Sequence, residues 1–596
     1  MSYTTSHDPT FHPVYVPAYP PVPLPHPSPS LATPRLSLPA STSASFPVSS
    51  SCADGKSVEE GRKGLVRFSV REEGEGKREL QRQLRSRHIA MISLGGVIGT
   101  GLFLGSAQSL QKAGPLGLLL AFSVMGVWVW CMMISLGEMI SHAPLAGGHI
   151  SLASRFVDPS FGLATGYSYA ANWLLVCPAE LSASATLVGF WKGGSPAPWI
   201  AICYVVVVGI NLGGTRVYGE CEFWLCAIKI ITILGLIVLG IIISAGGVPG
   251  TEPIGFSYYH SPGAFAQFLG IEGSLGRFAG FWAASLQAAY SYVGTEIVSL
   301  AAGEARNPSH SLPLSIRRVI SRILLFYIAG CFVIGLIVPY TDTALSRHDG
   351  TAMSSPFVIA IERAGIKALP SVVNAAFLTA ATSAASSGLY TASRCLYGLS
   401  INDMAPACFK RLNRYGLPWV AVCVSSAFGL LSFMAASEKS AKVFTWLSNF
   451  CSVGGVLSWA SICVTYLRFY YGARAQDIPR SIFPYVGPCQ PYAAILALVG
   501  FLLILLTNGF YLFIDGQWDG SEFTTRYLLL ILFPIVYFSS KFYYSPSSSL
   551  SSKSVLSWPS LLELDYFSGS RDNDEADFHD GPKPKNVAQR VWRSLV

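Results

Sequence analysis

The chain has 596 residues, of which 51% are hydrophobic and only 12% are charged, and its mean hydropathy is +0.44. Soluble domains carry about 25% charged residues, so this composition argues against a soluble protein and places most of the chain in a bilayer. The net charge of +8 is better explained by basic loops at a membrane surface than by a nucleic-acid interface.

Residues 1–81 are predicted to form a disordered N-terminal tail. The stretch "VYVPAYPPVPLPHPSPS" is rich in proline and serine and has no helical periodicity. It also lacks the basic segment and apolar core of a signal peptide. Lys56, Lys63 and Lys77 lie in this tail as candidate ubiquitin acceptors, which makes a ubiquitin ligase a candidate partner.

Twelve apolar segments follow the tail, most of them long enough to cross a hydrocarbon core of about 30 Å. We number these predicted spans one to twelve, near residues 89–110, 115–137, 161–191, 198–213, 219–246, 278–303, 318–339, 368–400, 416–436, 443–470, 490–514 and 524–544. The membrane domain is therefore predicted to cover residues 82–545, and residues 546–596 form a C-terminal tail.

The loop charges predict the orientation of the chain. Basic residues are concentrated in alternate loops, which are expected to face the cytoplasm: Arg82, Arg85, Arg87, Arg306, Arg317, Arg318, Arg322, Lys410, Arg411, Arg414, Arg468, Arg474 and Arg480. The opposite loops carry Glu252, Asp342, Asp349, Asp515, Asp519 and Glu522 with fewer basic residues. Both termini are thus predicted to be cytoplasmic.

Two spans contain glycine where an uninterrupted helix would not need it. Span one contains "GGVIGTGLFLGS", with five glycines within residues 95–105, and span six contains Val293-Gly294-Thr295-Glu296. Glycine costs about 1 kcal/mol relative to alanine inside a helix. Interruptions at matching positions in two halves are typical of an inverted-repeat transporter. The repeats would be residues 89–246 and 278–470, with 490–544 as two additional helices.

In an intact helix the backbone N–H and carbonyl groups bond to each other, whereas an interrupted helix leaves some of them free to bind a solute. Unwinding at Gly99-Thr100-Gly101 would leave N–H groups at the start of the outer half-helix, where a carboxylate binds well. Carbonyl groups near Ser291 and Tyr292 would suit an ammonium group. Together these sites match the head group of an α-amino acid. The alternative is that the glycines serve close packing between helices.

Several segments resemble the fungal amino acid permeases of the amino acid–polyamine–organocation (APC) superfamily, in order and over residues 82–545. They include "RHIAMISLGGVIGTGLFLGSAQSLQKAGPLGLLLAF", "VYGECEFWLCAIKIITI", "GTEIVSLAAGEARNPSHSLP" and "SPFVIAIERAGIK". The resemblance implies an all-α membrane protein with twelve transmembrane helices, a five-plus-five inverted repeat of the LeuT/APC type and broken helices one and six. It also implies proton-coupled uptake of amino acids at the plasma membrane.

The resemblance also assigns candidate substrate contacts, with the carboxylate on the first break and the amine and side chain on the second. These residues are Ile98, Gly99, Thr100, Gly101, Tyr290, Ser291, Tyr292, Val293, Gly294 and Thr295. Tyr290 matches an aromatic position that closes over the substrate in relatives. Many relatives have phenylalanine there and at Tyr292, so this chain departs from the family pattern by two hydroxyl groups, and the pocket polarity of the relatives does not transfer directly.

Three ionisable residues are candidates for proton coupling. Lys229 lies in span five, where insertion of a lone ammonium group into the bilayer costs about 2.5–3.5 kcal/mol. In relatives a lysine at this position replaces a sodium ion between spans one and eight. The alternative for Lys229 is snorkelling to the inner surface. Glu296 could accept a proton or only stabilise the second break. Glu180 in span three could line the pathway or only bond to another helix.

Other polar residues are given structural roles. Glu138 in span two is interpreted as structural, and Glu304 and Arg306 as closing the inner end of span six. The serines at 383, 386 and 387 in span eight could contact Lys229, but packing of small residues is the favoured interpretation.

The sequence predicts no cofactor and no metal site. It contains no phosphate-binding GxxxxGK[ST] loop, and its thirteen cysteines are scattered without a CxxC pair. A proton gradient suffices as the energy source, because two pH units and 100 mV together supply about 5 kcal/mol. This amounts to more than three decades of accumulation of a neutral solute.

The sequence thus predicts a transporter for neutral amino acids or a broad range of them, with proline or basic substrates also open. The alternative is a permease-like receptor that binds external amino acids and signals with little transport. An intramembrane enzyme is disfavoured because no catalytic pair is visible.

Overall fold

The structure is a computed structural model, and it describes residues 98–191, 194–249, 252–301, 318–345, 355–437, 440–514, 516–544 and 557–568. Positions 84, 87, 88, 91, 92, 304, 315 and 316 are described individually. The predicted disordered tail, its three lysines and Arg306 lie outside these residues.

The described helices follow the predicted spans closely. They are Thr100–Phe103 and Gly105–His142 for spans one and two, then Pro159–Val188, Ala197–Leu212, Gly214–Ser244, Gly273–Tyr292 with Ile297–Ala301, Val319–Ile337, Leu369–Ile401, Trp419–Ala436, Ser440–Ala475, Tyr492–Phe513 and Gly520–Tyr544 for spans three to twelve. Eight helices among the described residues are long and apolar enough to cross a membrane. The predicted all-α membrane fold is confirmed.

One helix contains the turn between spans one and two. Gly114 interrupts Gly105–His142 with a φ of +76°, and Pro115 follows it. A Cβ at Gly114 would lie 2.7 Å from the backbone nitrogen of Ala266, so both the positive φ and the close contact require glycine. The two spans are therefore joined by a kink at Gly114 without a separate loop.

The two halves of the domain share an element order. A short helix, His149–Phe156, follows span two, and another, Pro356–Arg363, follows span seven, which is the second span of the second half. The interrupted spans are the first and the sixth, so each half begins with one. This order is what a five-plus-five repeat requires.

Span three lies against spans eight and ten through glycine contacts. A Cβ at Gly388 would lie 3.1 Å from the backbone nitrogen of Cys177, and a Cβ at Gly454 would lie 2.8 Å from the Cβ of Asn172. Small residues allow helix backbones to approach closely in lipid. This packing buries Glu180 of span three in the centre of the domain.

Glu138 is held by a group of hydrogen bonds near the end of span two. Its side chain is buried and accepts hydrogen bonds from Arg480 at 2.6 and 2.9 Å, from the Tyr466 hydroxyl at 2.9 Å and from the Gly487 N–H at 2.9 Å. These contacts support the structural interpretation, because they join span two to span ten and to the loop before span eleven.

We expect Glu138→Ala to destabilise the protein strongly. The substitution leaves the Tyr466 hydroxyl, the Gly487 N–H and the partly buried Arg480 guanidinium without their acceptor, and each buried group left unsatisfied costs about 1–3 kcal/mol. Thermal unfolding of the detergent-solubilised protein measures the effect. Glu252→Ala is the matched control because Glu252 is exposed. Equal midpoints for the two variants would contradict the assignment.

The described part of the C-terminal tail, residues 557–568, packs against the membrane domain. The buried Tyr566 donates a hydrogen bond to the Phe469 carbonyl, and its own carbonyl lies 2.9 Å from His142 Nε2. Partial burial would raise the pKa of Asp565, but hydrogen bonds from Ser568 and the charge of Arg155 hold it at about 2. Asp565 is therefore ionised at physiological pH, and its contribution to stability is lost only as the pH falls towards 2.

Tyr566→Ala is expected to release this segment. Removing a buried aromatic side chain costs about 3–5 kcal/mol, so limited proteolysis should remove the C-terminal segment at least ~10-fold faster. Phe567→Ala serves as the control, since the neighbouring Phe567 side chain is 64% exposed. If both variants are cleaved at the wild-type rate, Tyr566 does not anchor the segment.

Candidate functional site

The first break lies where the sequence predicts it. Gly99 is extended, with φ of −119° and ψ of −157°, and the helix Thr100–Phe103 starts immediately after it. Ile98 is fully buried before the break. The backbone is therefore non-helical at Gly99, and Thr100 forms the start of the half-helix that follows it.

The second break lies in the middle of span six. The helix ends at Tyr292, Val293 has a non-helical ψ of 132°, and Gly294 has a φ of +102° before helix resumes at Ile297. A positive φ strongly favours glycine. Both interruptions predicted from the sequence are thus present.

The two breaks lie directly against each other. A Cβ at Gly101 would be 2.9 Å from Tyr290 Cδ1 and 3.0 Å from Ser291 Cα. Glycine at this position therefore allows the half-helix of span one that begins at Thr100 to approach span six closely. Gly101 therefore does serve close packing between helices, which was the alternative interpretation of the glycines. The backbone is nevertheless interrupted at Gly99 and Gly294 as well.

Glu180 joins both breaks. Its carboxylate accepts a hydrogen bond from Tyr290 Oη at 3.0 Å, and Thr100 Oγ1 lies 3.0 Å from each of its oxygens. A Cβ at Gly99 would lie 2.9 Å from Glu180 Oε1. A carboxylate of the protein itself thus lies at the start of the half-helix, where the sequence analysis places the carboxylate of a substrate.

The carbonyl groups predicted to receive an ammonium group already have partners. The Ser291 carbonyl accepts a hydrogen bond from Tyr327 Oη at 2.9 Å, and the Tyr292 carbonyl accepts one from Thr295 Oγ1 at 3.2 Å. Each carbonyl thus already accepts a hydrogen bond from a hydroxyl group in this conformation, and binding of an ammonium group at these two carbonyls stays a prediction.

Tyr292 and Val293 also face away from the contact between the breaks. Tyr292 Oη donates to the Phe122 carbonyl at 3.0 Å, and the Tyr292 ring packs on Tyr327 with centroids 4.4 Å apart. Val293 contacts span ten, where a Cβ at Gly455 would lie 2.5 Å from Val293 Cγ2. The expectation that these two side chains contact substrate does not fit their positions here.

Glu296 holds the second break together. It is fully buried, and Oε2 accepts hydrogen bonds from Trp459 Nε1 at 2.9 Å and from the Gly294 N–H at 3.2 Å. Thr295 Oγ1 lies 3.5 Å from the same oxygen. The carboxylate therefore accepts a hydrogen bond from an amide freed by the break and links it to span ten.

Lys229 is buried in span five and does not reach the surface. Its Nζ lies 3.9 Å from Oε1 of Glu222, which is also buried, and Ser383 Oγ of span eight donates to Glu222 Oε2 at 2.8 Å. Snorkelling is therefore not observed. Ser383 is connected to Lys229 through Glu222, so packing alone does not describe this serine.

Glu222 is a residue that the sequence analysis missed. It precedes Lys229 by seven residues, in "GECEFWLCAIK", and this spacing places both side chains on one face of a helix. The signal was present, because an acidic and a basic residue at this spacing within an apolar helix are candidates for a buried pair.

Access to the breaks differs on their two sides. On one side a cavity of about 390 Å³ is lined by Gln108, Lys112, Gln287 and Phe444. Phe444 packs edge-to-face on Tyr290 with centroids 6.0 Å apart, so the wall of the cavity contacts span six next to the second break.

Buried polar contacts join the end of span six to span eight. Glu304 accepts hydrogen bonds from Arg394 Nε at 2.9 Å and from Tyr390 Oη at 2.8 Å. Both partners lie on span eight, so Glu304 joins the far end of span six to it. This agrees with the structural role predicted for Glu304.

Comparison with known proteins identifies the family. The family model for amino acid permeases matches residues 88–549. The lysine-specific permease of Saccharomyces cerevisiae is 37% identical over 521 residues, which cover 87% of this chain and 83% of that protein. The dicarboxylic amino acid permease of the same yeast is 39% identical, covering 80% and 79%, and a proline-specific permease of Emericella nidulans is 36% identical, covering 90% and 98%. The resemblance seen in the sequence is confirmed: this chain belongs to the amino acid permease family.

Proposed function

We propose that this permease imports amino acids together with protons across the plasma membrane by alternating access. The observation that carries the proposal is the contact between the two helix breaks around Glu180, with the buried Lys229 and Glu222 beside them in span five. Buried ionisable groups in a transmembrane core are costly and typically serve transport of ions or substrates.

Substrate would enter from the cavity past Phe444. A bound amino acid requires the breaks to separate, because Gly101 and Tyr290 are already in van der Waals contact. Thr100 and Tyr290 would then exchange their hydrogen bonds to Glu180 for bonds to the substrate head group. The substrate carboxylate would take the amides after Gly99, and its ammonium group would lie near Glu180 and span six.

Release to the other side requires the contact between Glu304 and Arg394 to open. We propose that this side is cytoplasmic, as the loop charges predict, and that both termini lie there. Lys56, Lys63 and Lys77 would then be accessible to a ubiquitin ligase. The proton gradient would be the only energy source, without a cofactor.

The substrate range is proposed to be neutral or broad. The relatives named for lysine, dicarboxylic amino acids and proline are all 36–39% identical to this chain, so overall identity does not select among them. At the contact of the breaks Glu180 is hydrogen-bonded to the uncharged hydroxyl groups of Thr100 and Tyr290. These partners carry no charge that would select a charged substrate side chain.

Uptake of radiolabelled amino acids in cells that lack other permeases tests the proposal. We expect accumulation that rises as the external pH falls, with unlabelled neutral amino acids as effective competitors. Surface-localised protein that binds amino acids and triggers a response without accumulation would instead indicate a receptor. Accumulation that is independent of external pH and membrane potential would contradict proton coupling.

A further inference from the structure

Glu222 is a buried carboxylate that the proposed transport cycle has not yet used. It is 1% exposed and lies among Lys229 Nζ at 3.9 Å, Cys226 Sγ at 3.1 Å and Ser383 Oγ at 2.8 Å. A carboxylate buried in a transmembrane helix needs a counter-charge or hydrogen bonds, and Glu222 has both. Its position next to Lys229 is suited to exchange of a proton with that residue, in addition to neutralising its charge.

The two residues are arranged for contact along the helix. Seven residues separate them, so their Cα atoms lie about 10 Å apart along one helix face. Side chains in a helix tilt towards its N-terminus, so the long lysine side chain leans back towards Glu222. Glu180 of span three, the carboxylate at the breaks, is buried in the same core as Lys229 and Glu222.

We propose that Glu222 accepts the transported proton from Lys229 and passes it towards the inner side, an inference that rests on the proposed proton-coupled transport. The proton leaves Lys229 Nζ and binds Glu222 Oε1, which gives a neutral amine and a neutral carboxylic acid. Glu222 then releases the proton to water that reaches the inner side, and Lys229 takes up the next proton near Glu180.

The transfer is physically reasonable for this pair. The 3.9 Å separation is about 1 Å longer than a hydrogen bond, and rotation about the flexible lysine side chain closes it. In a medium of low polarity an ion pair retains a large desolvation cost, so the neutral pair is close to it in energy. The proton can therefore move without leaving an isolated buried charge.

Other titratable groups surround the pair and must be considered. Those that the described elements place near it are Cys226 and Tyr218 on span five, Glu180 on span three and Tyr390 on span eight. Tyr218 donates a hydrogen bond to Ser387 and Tyr390 donates one to Glu304, so both phenols are engaged elsewhere. Among the groups named here, Glu222 is the carboxylate whose oxygen lies 3.9 Å from Lys229 Nζ.

Glu222 also lies on the route to the inner surface. Gly219, one helical turn earlier, is in contact with His88, whose ring would lie 3.0 Å from a Cβ at that glycine. The neighbouring Glu220 is exposed and pairs with Arg87. Glu222 is thus between Lys229 and the surface end of span five.

Glu222→Gln tests the proposal in purified protein reconstituted into liposomes. Glutamine resembles the protonated acid but cannot release a proton. We expect substrate counterflow, which exchanges loaded carriers without net proton release, to stay within ~3-fold of wild type. Accumulation driven by an imposed pH difference should fall at least ~10-fold. Glu220→Gln is the matched control and should retain both activities, because its side chain lies outside the pair.

Three outcomes would overturn the proposal. Glu222→Gln protein that still accumulates substrate in proportion to the pH difference would show that Glu222 is not required. Folded Glu222→Gln protein that loses counterflow as well would indicate a purely structural role. If Glu222→Gln does not fold, Glu222→Asp replaces it, and loss of counterflow together with pH-driven accumulation in this folded variant, which keeps a carboxylate, would indicate a structural role instead of proton transfer. Wild-type protein without pH-driven accumulation would instead refute the proposed function itself.

Discussion

Gly101→Val is expected to abolish uptake while the protein still reaches the membrane. A Cβ at this position would lie 2.9 Å from Tyr290 Cδ1 and 3.0 Å from both the Cα and Oγ of Ser291. The branched side chain of valine would therefore force the outer half of span one away from span six. Because Thr100 and Tyr290 both bond to Glu180, this displacement also separates the groups proposed to hold the substrate.

The loss should exceed 100-fold in initial uptake rate, with surface expression within a factor of two. Gly235→Val is the matched control, since no atom lies within 4 Å of a Cβ at Gly235 in span five. Helical valine is tolerated in an apolar span, so this variant should transport normally. Normal transport by Gly101→Val would refute the placement of the substrate at the contact of the breaks.

Lys229→Met is expected to abolish accumulation against a gradient and to leave exchange of substrate. Methionine keeps much of the side-chain volume but carries no proton. Two pH units and 100 mV supply about 5 kcal/mol, which corresponds to more than three decades of accumulation. Without the proton carrier this ratio should fall to about one, measured as internal over external labelled substrate in liposomes.

The variant leaves Glu222 without its nearby cation, and an uncompensated buried charge is destabilising. The double variant Lys229→Met/Glu222→Gln removes both charges and should recover the folded yield without recovering accumulation. Lys367→Ala, at an exposed position, is the control for removal of a lysine. Accumulation in proportion to the proton gradient in Lys229→Met would show that this lysine is not the coupling group.

Glu180 is relevant to both the Gly101→Val and the Lys229→Met predictions. It is bonded to residues at both breaks and interacts electrostatically with Lys229. Substrate that displaces the Thr100 and Tyr290 hydroxyls from Glu180 therefore changes the charge environment of Lys229. In the proposed cycle, this would connect occupation of the breaks with movement of the proton.

The sequence by itself determined the spans and the positions of the breaks. Apolar length and the cost of glycine in a helix are local properties, so the interruptions at Gly99 and Gly294 could be predicted without any knowledge of neighbours. Lys229 and Glu180 could also be selected locally, because a charge within an apolar span is conspicuous. The family resemblance then supplied roles for these positions.

Only the tertiary structure decided which of these groups meet. Tyr327 satisfies the Ser291 carbonyl, Ser383 bonds to Glu222, and Glu180 occupies the start of the half-helix at Thr100. Each contact joins different spans, and its existence depends on the depth and rotation of one helix relative to another. Hydropathy and glycine spacing do not specify those quantities, because they are set by close packing of side chains across the helix interfaces.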